Sequence, residues 1–131
     1  RAEQAFATLF ERQSDPLDAL TIWLQSALAQ LQDSAFERGC PLATVALESG
    51  PEDHEIRAAL ANAFVAIRQA LQQQLQRHGY PQPEGLAALF VALYEGGLLQ
   101  ARVAGSSEPL KQAVATLLHL TRQHRTESPP A

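Results

Sequence analysis

A chain of 131 residues makes one domain, able to remove about two-thirds of its unfolded surface from water. Its formal net charge is −4, and its 10 Lys and Arg residues are scattered from Arg1 to Arg125, which excludes a basic nucleic-acid face. A single cysteine excludes an internal disulfide and fits a reducing compartment. The pattern holds no signal peptide. With no Met at its start or anywhere else, the chain reads as a piece of a longer protein.

Ala, Leu and Gln are abundant and aromatics scarce, a composition that favours helix. The first predicted helix, about Ala2–Arg12, carries Phe6, Leu9 and Phe10 at helical spacing and shows no capping signal. Asp15 is then an N-cap, with Pro16 at the first helical position and Asp18 in the first turn. Leu17, Leu20, Leu24, Leu28 and Leu31 follow as a stripe that Ile22 and Trp23 widen. Asp33–Gly39 reads as a loop containing Phe36, and Pro41 opens a short apolar helix, Leu42–Glu48, ended by Gly50.

Pro51 is expected to begin the longest helix, with Glu52, Asp53 and Glu55 complementing its dipole. Its apolar stripe is Ile56, Leu60, Phe64, Ile67, Leu71 and Leu75; Arg57, Arg68, Gln72, Gln73, Gln76 and Arg77 lie opposite. Gly79 suits the position after the last turn, with Tyr80 folding back on it. Pro81 and Pro83 stop that helix and pre-set the next, Pro83–Ala104, which ends at Gly105. Ser107 is expected to cap a final helix bearing Leu110, Ala113, Val114, Leu117, Leu118 and Thr121. Thr126–Ala131 reads as a disordered tail. No segment reads as a strand, so the fold is all-α.

The helix from Pro83 is the most informative. Leu86–Tyr94 is nine apolar residues in a row, without the polar face of a surface helix. The run is too short, and too soon interrupted by Glu95 and Arg102, to be expected to span a bilayer. At roughly 100° per residue, Ala87, Phe90, Val91, Tyr94, Leu98 and Ala101 share one side. Ala88, Leu89, Ala92, Gly96, Leu99 and Val103 share the other. The bulky side is assigned to the chain's own interior and the small side to a second copy. The final helix, through Leu110, Ala113, Val114 and Leu117, is expected to join it, giving a four-helix bundle about a two-fold axis.

Three segments in combination carry a resemblance: Arg38–Glu48 (RGCPLATVALE), the long helix through His78-Gly79, and Leu93–Arg102 (LYEGGLLQAR). Together they are similar to the C-terminal domain of TetR-family transcriptional regulators, in the LmrA/YxaF-like branch. The resemblance covers about Pro16–Leu120, and departs from the usual pattern at Gly97, where Ala is common.

That resemblance implies an antiparallel helical bundle that binds a small inducer and dimerises through its last two helices. It implies a bacterial, cytoplasmic repressor whose operator DNA is read by an N-terminal helix-turn-helix domain absent from this chain. Residues 1–13 would be the remnant of the connecting helix, 14–125 the ligand-binding and dimerisation domain, and 126–131 a tail.

The expected pocket is mostly apolar and holds a hydrophobic small molecule. Its candidates are Trp23, Phe36, Phe64, Ile67, Phe90 and Tyr94, with Arg68 or Glu95 as polar anchors. Each also suits a plain role in the core or, for the charged pair, at its rim. Cys40 before Pro41 suggests a redox sensor or a small packed residue. His54-Glu55 begins a zinc signature that Ala58 breaks, and His54, His78, His119 and His124 show no ligand spacing with Cys40. No metal, cofactor or enzymatic activity is expected. Two other readings stand beside the favoured one: a ligand-free helical dimerisation module, and a small helical enzyme using Glu95 or Tyr94 as acid or base.

Overall fold

Asp15 has extended backbone, and its Oδ1 accepts a hydrogen bond from the Leu17 amide at 3.0 Å. That bond satisfies one of the free donors at the start of helix α1 (Pro16–Asp33), as the sequence predicts. The computed structural model describes residues 8–13, 15–34, 45–46 and 48–127, with the side chains of 126 and 127 excepted. Helix α1 buries Leu17, Leu20, Leu24, Leu28 and Leu31, the stripe read from spacing, together with Ala19. Ile22 lies off that stripe and is 40% exposed, so it does not widen the buried face. Residues 8–12 are helical ahead of α1, and Phe10 is buried in the core.

Helix α2 (His54–Arg77) starts three residues later than Pro51. The cause is a closed turn: Asp53 N donates to Gly50 O at 3.1 Å, and Gly50 N donates to Asp53 Oδ2 at 2.8 Å. The Asp53 carboxylate is thereby engaged backwards and does not cap the helix. Only Leu71 and Leu75 of the α2 stripe are buried; Leu60, Phe64 and Ile67 are half-buried, and Ile56 is exposed. The C-terminal half of α2 is the half that enters the shared core.

Gly79, at φ +76°, ends α2 in a left-handed turn. Its amide bonds to Gln76 O at 3.1 Å and the Tyr80 amide to Leu75 O at 3.0 Å, closing a Schellman motif that folds Tyr80 into the core. Gln82 then takes a left-handed conformation, φ 51° and ψ 52°, between Pro81 and Pro83. The following proline disfavours right-handed helical geometry there, and the next helix starts from this strained residue.

Helix α3 (Pro83–Ala104) has the predicted bounds and ends at left-handed Gly105. Over its 22 residues it is long and apolar enough to cross a membrane by length and composition, which the nine-residue run alone did not suggest. It is the central helix of the fold, packed against both α2 and α4. Ala87, Phe90, Gly97, Leu98 and Ala101 form its buried face. Helix α4 (Glu108–Glu127) buries Leu110, Val114, Leu117, Leu118 and Thr121. Ser107 takes the capping position through its carbonyl, which accepts from Lys111 N, but the hydroxyl that accepts from Glu108 N belongs to Ser106. The helix continues through Glu127, so two residues expected in a tail are helical. Among the described residues there is no strand, and the all-α expectation holds.

Candidate functional site

Trp23 stands one position before buried Leu24 on α1, and Phe90 and Tyr94 stand one turn apart on α3. These placements gather three of the six expected ligand contacts into one aromatic wall. The Trp23 and Tyr94 ring centroids are 4.3 Å apart, Trp23 and Phe90 6.0 Å, and Phe90 and Tyr94 6.4 Å. Phe90 is buried, whereas Trp23 and Tyr94 are half-buried at the edge of the core. Rings this close leave no gap between them, so a ligand has only their outer faces to rest on. Glu95, next to Tyr94, is half-buried too.

Phe64, Ile67 and Arg68 are half-buried on α2. Phe36 and Cys40 lie outside the described residues, as does most of the helix expected after Pro41. Where the four helices meet, between Leu20, Leu71, Leu75, Phe90 and Leu117, a partly open cleft has room of about 10 Å³. That is about the room one water needs, and far below the several hundred Å³ of a drug-sized pocket.

The side of α3 assigned to a second copy is open. Leu89 is 47% exposed, Leu99 56% and Val103 84%, with Ala88 and Ala92 exposed beside them. Gly96 is half-buried, and a Cβ built on it meets nothing within 4 Å. The α4 part of the expectation needs correction. Leu110, Val114 and Leu117 are buried inside the subunit, and Ala113 is half-buried, so the apolar stripe of α4 serves the chain's own core. What α4 leaves in the open is Leu120, 55% exposed and off that stripe.

One polar cluster escaped the sequence reading altogether. The Tyr80 hydroxyl donates to Asp15 Oδ1 at 2.8 Å, on the oxygen that caps α1. The guanidinium of Arg125 lies 4.4 Å from the Tyr80 ring centroid, and Arg122 Nη2 is 3.2 Å from Asp18 Oδ1. Burial, then the bond to Asp15, push the Tyr80 pKa up to about 12 against the opposing pull of Arg125. Asp15, Tyr80, Arg122 and Arg125 line an open depression of about 310 Å³. Asp15 and Tyr80 are 65 residues apart, and no local signal pairs them. Among the described residues no group of three or more His, Cys, Asp or Glu side chains is placed to hold a metal.

No curated protein matches the chain. A crystal structure of the regulatory protein TetR from Rhodobacter sphaeroides is similar in fold, with a TM-score of 0.75 at 24% identity, over 89% of this chain and 68% of that one. Residues 16–116 match the family described as transcriptional regulator LmrA/YxaF-like, C-terminal domain. With most of its length inside that match, the chain belongs to the LmrA/YxaF-like branch of the TetR-family transcriptional regulators.

Proposed function

We propose that this chain is the small-molecule-sensing and dimerisation domain of a TetR-like transcriptional repressor. The observation that carries the dimer is the contrast between two adjacent glycines. Glycine inside a helix costs roughly 1 kcal/mol against alanine, so each needs a packing reason. Gly97 has one inside the subunit, because its Cβ would stand 2.5 Å from Leu110 Cδ1. Gly96 has none there, and sits among exposed Ala92, Leu99 and Val103. A second copy of the same face, with its small residues, supplies that reason.

The sensing part rests on the aromatic wall of Trp23, Phe90 and Tyr94, which suits a hydrophobic small molecule. A ligand favouring one arrangement of the dimer shifts the population toward it and changes the spacing of helix-turn-helix domains joined through the connecting helix of residues 1–13. A coupling of about 1–3 kcal/mol, typical of such linkage, changes operator affinity about 5–150-fold. Operator DNA is then a partner of the whole cytoplasmic repressor only through those domains.

The small size of the cleft between the four helices, among the described residues, favours a second reading, a dimerisation module without a ligand. A thermal-stability screen of hydrophobic small molecules separates the two. A saturable rise in melting temperature, abolished by Tyr94→Ala, supports sensing; its absence across the screen supports the module.

A further inference from the structure

We propose that the last turns of α4 are a clasp that sets the pose of residues 8–12 against the bundle. Residues 8–12 end at Gln13, which is not helical, and α1 begins again at Pro16. Asp15 stands at that joint, and one oxygen of its carboxylate accepts both the Leu17 amide and the Tyr80 hydroxyl. The first bond fixes where α1 starts. The second fixes the joint to the corner between α2 and α3, where the Schellman turn holds Tyr80.

Helix α4 reaches the same place twice, one turn apart. Arg125 covers the Tyr80 ring, and Arg122 pairs with Asp18 in the first turn of α1. The Arg122–Asp18 pair is exposed and holds little by itself, so Tyr80 is the principal fastening. Within the segment itself, Phe10 is buried in the core and Leu9 packs against it.

The test is hydrogen exchange on the full chain, comparing wild type with Tyr80→Phe, Arg125→Ala and Asp15→Ser. Serine still caps a helix but is too short to bridge to Tyr80 as well, so the third variant opens the clasp without uncapping α1. The expected result is exchange at least about five-fold faster in the peptide covering residues 8–15, with the α3 peptide around Leu98 and Ala101 unchanged. Three results overturn the proposal: wild-type exchange at residues 8–15 in all three variants; wild-type exchange there in Arg125→Ala while the other two accelerate, which would take α4 out of the clasp; or equal acceleration in α3, which would make the cluster a fastening of the whole fold.

Discussion

Gly97 and Leu110 fit together only because one of them has no side chain. A Cβ on Gly97 would lie 2.5 Å from Leu110 Cδ1 and 3.1 Å from its Cα. The methyl end can swing away, but the backbone atom cannot, so α3 and α4 are held closer than alanine allows. Gly97→Ala is therefore expected to lower subunit stability by about 1 kcal/mol. Overpacking of about 1–3 kcal/mol outweighs the gain of roughly 1 kcal/mol in helix propensity. Gly96→Ala meets nothing and is expected to raise subunit stability while weakening dimerisation. Urea unfolding and sedimentation, run on both variants, check the opposite signs.

Leu110 and Leu99 should separate folding from association. Leu110 is fully buried in the subunit, so Leu110→Ala should cost about 2–5 kcal/mol of stability. Leu99 is 56% exposed, and Leu99→Ala should leave the unfolding of a monomer within about 0.5 kcal/mol of wild type. Chemical denaturation in dilute solution reads both.

Alkaline titration tests the surroundings of Tyr80. Its pKa is raised in the folded chain to about 12, above the ordinary value of 10.0, so the unfolded chain loses this proton first. The stability this contributes is present in full below pH 10 and is lost as pH climbs from there toward 12. Absorbance of tyrosinate near 295 nm should show a step close to pH 12 that Tyr80→Phe removes. A Tyr80 step at pH 10 would mean that the hydroxyl is open to water.

The left-handed Gln82 is a local strain that can be tuned. Asparagine tolerates that conformation better, so Gln82→Asn should be neutral or stabilising by a few tenths of a kcal/mol. A β-branched residue tolerates it worst, and Gln82→Val should cost about 1–2 kcal/mol. Melting temperatures of the two variants should bracket that of wild type.

Much of this fold is legible along the chain, because its punctuation is local. Asp15 and Pro16 open α1, Gly79 closes α2, and Pro83 and Gly105 bound α3, each through contacts within a few residues. The later start of α2 was not legible, since Asp53 serves equally as a cap or as the partner of Gly50. Periodicity also separates the two sides of α3 correctly, with Ala87, Phe90, Leu98 and Ala101 buried and Leu89, Leu99 and Val103 open. It fails on α4, where an apolar stripe reports that something covers it but not what. The stripe proved to be inward. The aromatic wall was legible in part, because Phe90 and Tyr94 share a turn, whereas the Asp15–Tyr80 bond depends on how three helix ends converge.

The open face of α3 is the centre of the account, and its occupant is measurable directly. Sedimentation equilibrium of the wild-type chain at micromolar concentration should give twice the 131-residue mass, falling to the single-chain mass in Val103→Glu with helical content unchanged. A wild-type chain that stays folded at the single-chain mass across that range would contradict it.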